Sequence, residues 1–174
     1  MNRPVSTVLA VLFALVIAAP AWAQRDRGPR ETETIDRTLS LPANGTVRLK
    51  TFSGRVRITG GSSNQVVVKA VRRATRDRLN DIKLEITRSG NTIEIDANHR
   101  VVERRNDNVV ETDFEIQVPA SARLDIKTFS GRFESDLPVT LNSSSRRNFR
   151  GQLNGGGAGD FRLKTFSGDV TIRR

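Results

Sequence analysis

The 174-residue sequence contains no cysteine, one histidine and one long apolar run, and each scarcity removes a class of protein. Without cysteine no disulfide can staple the fold, so stability has to come from sheet hydrogen bonding and apolar burial. The lone His99 sits in a polar stretch with no cysteine partner and no carboxylate pair at ligand spacing, which does not make a metal site. Acid–base catalysis needs paired carboxylates in a pocket; Glu85, Glu94 and Asp96 instead occupy alternating strand positions that face solvent. The Ser143-Ser144-Ser145 run has no base near it. Gly155-Gly156-Gly157-Ala158-Gly159 lacks the Lys-Ser/Thr that follows a phosphate-cradling loop, and reads as a turn. The sequence therefore points to a non-enzymatic protein with no cofactor.

The apolar run, Val8 to Ala19, follows a single positive charge at Arg3. It ends in Pro20 and the small-x-small triplet Ala21-Trp22-Ala23. This is the layout of a signal peptide spanning residues 1–23, too short in its apolar core for a spanning helix. No second such run follows, so no transmembrane segment is expected in the mature chain. The missing cysteine also excludes lipid attachment at the cleavage site. Export through the secretory pathway to the periplasm or the cell exterior, and not as a lipoprotein, is the expectation. Residues 24–34 (QRDRGPRETET) hold no apolar side chain and read as a flexible tether; residues 35–174 then form a single β-repeat domain.

Charge is lopsided, with 29 Lys and Arg against 19 Asp and Glu for a net +10 at pH 7. A basic balance favours anionic partners. For an exported chain, envelope phosphates such as those of lipopolysaccharide or lipid head groups are nearer to hand than nucleic acid.

What the sequence does have is a repeat. Lys50-Thr51-Phe52-Ser53-Gly54 returns letter for letter at Lys127-Thr128-Phe129-Ser130-Gly131 and at Lys164-Thr165-Phe166-Ser167-Gly168. Alternating apolar residues precede each copy (Val47, Leu49; Leu124, Ile126; Phe161, Leu163), and Val56, Phe133 and Val170 follow each glycine by two. The pattern is strand, corner, strand. A looser fourth copy, Phe149-Arg150-Gly151, puts corner glycines at 54, 131, 151 and 168, with Gly90 as a degenerate member, near one or two multiples of about twenty residues. Glycine suits a corner that needs positive φ.

The fold class is all-β, and two architectures compete. A β-solenoid-like or stacked repeat sheet would pile the phenylalanines on one another and Leu49, Ile126 and Leu163 inside. A hairpin-built β-sandwich would close each Ser-Gly as a two-residue turn, at the cost of setting Lys50 against Arg57. Elsewhere, Ile82–Thr87 and Thr92–Asp96 around Ser89-Gly90-Asn91 read as a hairpin. Residues 72–81 are compatible with a short helix, whose Arg72, Arg73, Arg76 and Arg78 form a charged face, and 98–108 with an exposed loop.

The run from Val118 to Ile172 resembles the bacterial putative-adhesin family of exported β-strand-repeat proteins. The likeness rests on Val-Pro before Ala122-Arg123-Leu124-Asp125-Ile126, the Thr-Phe-Ser-Gly corner, the glycine run and the closing Phe-Ser-Gly-Asp-Val-Thr-Ile. Leu41-Pro42-Ala43 leading into Val47–Ile58 is similar. The resemblance implies an envelope or secreted protein and brings no catalytic residue. Its members have no assigned biochemical role and are called adhesins by analogy with repeat-built surface proteins; here an adhesin-like binding surface is expected, with anionic envelope polymers or another surface protein as partners. A self-assembling structural protein, pairing through the terminal strand Val170–Ile172, is the alternative; a polysaccharide-acting enzyme on a β-helix scaffold fits less well.

Two residues before each corner phenylalanine stands a cation: Lys50, Lys127, Arg147 and Lys164. If the corners stack, these form a file with about 4.8 Å per rung, a candidate anion-binding stripe that Arg48 and Arg162 would widen. The same file is equally what a solvated face uses to keep a sheet soluble.

Overall fold

The computed structural model describes residues 29–101, 110–145, 147–153 and 159–172. The expected signal peptide and residues 24–28 of the expected tether lie outside them. The strands are β1 (Glu31–Ser40), β2 (Thr46–Thr51), β3 (Arg55–Gly61), β4 (Gln65–Ala74), β5 (Ile82–Ser89), β6 (Thr92–Arg100) and β7 (Glu111–Pro119). After these come β8 (Arg123–Thr128), β9 (Arg132–Ser135), β10 (Val139–Ser144), β11 (Asn148–Leu153), β12 (Gly159–Thr165) and β13 (Asp169–Ile172). One helix, α1 (Arg76–Asp81), joins β4 to β5.

Two open sheets result, ordered β1-β4-β7-β3-β9-β13 and β10-β11-β12-β8-β2-β6-β5. Period-two alternation turns one side of each strand inward. Val47, Leu49, Ile95 and Ile126 from one sheet and Val56, Ile58, Phe114, Ile116 and Phe133 from the other meet in one buried core. A smaller cluster of Ala74, Leu79, Ile82 and Val110 seats α1. The all-β expectation holds, and two packed sheets are compatible with the sandwich.

The corners are not hairpins. β2 lies parallel to β6 and β8 in the seven-stranded sheet, whereas β3 lies parallel to β7 and β9 in the six-stranded one, so Phe52-Ser53-Gly54 carries the chain from sheet to sheet. A hairpin would oppose Lys50 and Arg57; in separate sheets Lys50 meets Asp96 and Arg57 meets Asp136. The expected hairpin does form at β5–β6, turning at Gly90-Asn91, so Gly90 is no corner.

The second and third copies make the same passage, with β8, β12 and β2 adjacent and in register, and β9, β13 and β3 likewise. Leu49, Ile126 and Leu163 stand side by side and buried. The fourth copy departs. Phe149 and Gly151 lie within β11, antiparallel to β10 and β12, and Gly151 is a mid-strand residue opposite Leu141 and Phe161. That stretch, Asn148-Phe149-Arg150-Gly151, lacks the Thr and Ser that shape the other three. A twenty-residue rung is therefore not the building unit.

Three further boundaries differ. β1 begins at Glu31, because Glu31 and Glu33 pair with Arg76 and Arg72 instead of leaving the segment solvated. β4 runs on through Ala74, leaving α1 six residues. β6 takes in Asn98, His99 and Arg100 from the expected loop; residues 102–109 lie outside the described set.

Candidate anion-binding face

Each corner is built the same way. The threonine is buried and its hydroxyl donates to the serine carbonyl two residues on, Thr51 to Ser53, Thr128 to Ser130 and Thr165 to Ser167. The glycines take φ of 114°, 141° and 120°. They also stack: a Cβ on Gly131 would lie 2.1 Å from the Gly54 carbonyl oxygen, and one on Gly168 1.9 Å from that of Gly131. Backbone bonds run up the pile, with Ser130 N–H donating to the Phe52 carbonyl and Ser167 N–H to that of Phe129, both at 2.8 Å.

Alternation then fixes what faces out. Thr points inward, so Lys and Phe on either side point outward. The phenylalanine rings stack at 4.6 Å (Phe52 on Phe129) and 4.7 Å (Phe129 on Phe166), nearly parallel, the spacing of neighbouring strands. Lys50, Lys127 and Lys164 occupy one register row across β2, β8 and β12, all exposed. Asp96 continues that row on β6, 3.7 Å from Lys50 Nζ. Among the described residues Lys127 and Lys164 form no ion pair.

The outer face of the other sheet shows what a neutralised surface looks like here. Lys69, Glu115, Arg57 and Glu134 follow one another in register with alternating sign. Asp113 accepts from Arg73 and from the Arg55 backbone N–H at 2.8 Å. Partial burial pushes the Asp113 carboxyl up, but those hydrogen bonds and the two arginine charges outweigh it and leave it below the usual carboxylate range. The hydrogen bond and charge of Asp136 hold Arg57 above the ordinary arginine value, and those of Asp113 do the same for Arg73.

Arg147, the fourth expected member of the file, is not in it. It precedes β11, its carbonyl accepts from Thr165 N–H, and its guanidinium lies 4.7 Å from the Phe166 ring centroid. It caps the aromatic stack by a cation–π contact. No sequence signal marks that contact, since it depends on β11 lying beside β12. Arg48 and Arg162 flank Asp125 in register, and Arg48 bonds Glu94 at 3.0 Å, so the second row is largely compensated. Arg162 also faces Arg150 across β11. On this face Glu85, Glu94 and Asp96 stand with Lys83 on β5 and β6, and Lys127, Lys164, Arg162 and Arg150 stand with Asp125 and Asp160 on β8, β12 and β11.

The remaining candidates resolve as follows. Arg72 is buried, bonded to Glu33 and the Ile82 carbonyl, and so is not part of a charged face; Arg73 is in β4, and Arg76 and Arg78 are on α1. His99 Nδ1 lies 3.0 Å from Glu85 Oε2 on the β5–β6 hairpin. Ser143 and Ser144 end β10, Gly159 opens β12, and residues 155–158 lie outside the described set. Among the described residues no three His, Asp or Glu side chains are placed to share a metal ion, and no helix is long and apolar enough to cross a membrane.

No family model and no curated protein matches the chain. Solved structures do. A putative cell adhesion protein from Clostridium sporogenes is 14% identical over 61% of this chain and 52% of that one, with a TM-score of 0.42. A putative adhesin from Parabacteroides merdae is 7% identical over 63% and 40%, TM-score 0.38. One from Bacteroides fragilis is 10% identical over 60% and 59%, TM-score 0.32. The chain spans about half the length of the solved structures it matches. Their names are those of the bacterial family that the Val118–Ile172 motifs resemble.

Proposed function

We propose that this chain is a non-enzymatic, adhesin-like binding protein of the bacterial cell envelope, exported to the periplasm or the cell exterior, whose lysine row engages anionic envelope polymers such as lipopolysaccharide. The observation that carries the reading is the unpaired neighbourhood of Lys127 and Lys164. Like charges directly opposite on adjacent strands repel; on the other sheet the row Lys69, Glu115, Arg57 and Glu134 alternates in sign, although Arg55 and Arg132 also face each other there. An anion lying along the row relieves the repulsion. The carboxylates on the outer faces are engaged by cations, Glu94 by Arg48, Asp96 by Lys50 and Asp113 by Arg73, which favours a binding surface over an acid–base site.

The test is retention on immobilised heparin or lipopolysaccharide under a salt gradient. Counter-ion screening predicts steeply salt-dependent elution. Lys127→Glu with Lys164→Glu should elute at markedly lower salt than Lys69→Glu with Arg37→Glu, which carries the same charge change on the six-stranded sheet. Equal retention of all three proteins would sink the reading.

A further inference from the structure

The aromatic stack beside the lysine row has no role in the core. Among the described residues five large apolar side chains are exposed, and three of them, Val101, Phe129 and Phe166, lie at the corner end of the sandwich. Val101 is there because β6 runs parallel to β2 and ends at the same side. Phe129 is 45% and Phe166 53% exposed, a poor arrangement for a solvated rim.

Cations flank this ridge on both slopes. Lys50, Lys127 and Lys164 precede the rings on the seven-stranded sheet, Arg55 and Arg132 follow the glycines on the six-stranded sheet, and Arg147 caps the end. The acids interleaved with them, Asp96 beside Lys50, Asp169 3.9 Å from Arg132 and Asp113 beside Arg55, offset three of the six. Turns at the opposite end, Asn44-Gly45, Ser62-Ser63-Asn64, Gly90-Asn91 and Ala120-Ser121, carry no charge and no large apolar side chain.

The ring geometry selects the occupant. Phe129 has a ring on either face, and Phe166 lies between Phe129 and Arg147. Sugar rings bind aromatics face to face, and Phe129 has no free face to give. What the ridge offers outward is ring edges, apolar and carrying the positive end of the ring quadrupole. An apolar wedge between two rows of cations matches the boundary of an anionic bilayer, where acyl chains receive the rings and head-group phosphates the ammonium and guanidinium groups.

We propose that the Thr-Phe-Ser-Gly ridge docks the protein end-on to an anionic lipid surface. This rests on the anion-binding reading of the lysine row and names its ligand class. The protein recovered from the exported fraction is sedimented with vesicles of phosphatidylcholine alone or mixed with phosphatidylglycerol, and run in parallel on heparin. Binding to the anionic vesicles only is expected. Phe129→Ser with Phe166→Ser should weaken it by about tenfold or more while leaving heparin retention and the far-ultraviolet spectrum unchanged. Phe166→Trp, which keeps the wedge, should retain vesicle binding. Lys127→Glu with Lys164→Glu should lose both.

Vesicle binding that survives the serine pair overturns the proposal, whether the protein is held by charge alone or by an uncleaved leader. Loss of binding in the tryptophan variant as well as the serine pair also overturns it, since the ridge would then act only through folding. Heparin retention indifferent to the lysine reversals would instead bring down the underlying anion-binding reading.

Discussion

At the scale of single residues the corner glycines carry the fold. Gly131 combines a φ of 141° with a carbonyl 2.1 Å from where a Cβ would sit, whereas Gly90 has a φ of 56° and open space around it. Gly131→Ala should therefore cost about 3 kcal/mol or more, from strain together with displaced backbone, and Gly90→Ala only about 1 kcal/mol. Thermal unfolding of the two variants separates them. The need for glycine was legible in the repeat, but the second reason for it, one glycine lying on the carbonyl of the glycine before, appears only once the corners stack. Asp113 gives a pH test. Its folded-state carboxyl sits below the usual range, so its contribution is complete above the unfolded-state pKa of about 3.9 and is lost as pH falls through the lower folded value. Asp113→Asn should lower the melting temperature at pH 7 and narrow the gap to the parent protein under strong acid. An equal deficit at both pH values would contradict the assignment.

Among the elements, three copies of a five-residue motif gave the stacking of Phe52, Phe129 and Phe166 and the inner file of Leu49, Ile126 and Leu163 before any coordinates. The fourth copy keeps Phe-x-Gly but not the threonine before it. That threonine supplies the hydroxyl that donates to the backbone carbonyl two residues on in the other corners, and Asn148 has no hydroxyl. Arg72 was equally illegible. Its four-arginine neighbourhood reads as surface, and only the approach of β1 reveals that Glu33 draws it under cover. Among the described residues β13 pairs with β9 alone and forms an edge of the six-stranded sheet. It is four residues long, and short edge strands are one way sheets blunt lateral pairing. Light scattering should report one mass across concentration; growth would transfer the argument to the self-assembly reading.

For the whole molecule, the sequence reveals the class and hides the order. Between Gly54 and Gly131 the chain leaves the stack, builds β4 through β7 and returns, and nothing in the spacing says that β7 will pair with β3 or β6 with β2. Such pairings are set by which apolar faces close the core, which is a property of the assembled sheets. The same assembly brings Lys127, Lys164, Arg150 and Arg162 together on β8, β12 and β11, with Asp125 and Asp160 among them. It also gathers the exposed phenylalanines at one end. The central claim, that this end is the one that meets an anionic surface, has a direct measurement. Because the sequence has no cysteine, Ser167→Cys at the corner end and Ser63→Cys at the opposite turn can each carry a single environment-sensitive fluorophore. With phosphatidylglycerol-containing vesicles the label at 167 should shift to the blue and become shielded from an aqueous quencher while the label at 63 does not change. Equal responses at the two positions, or a response at 63 alone, would contradict the account.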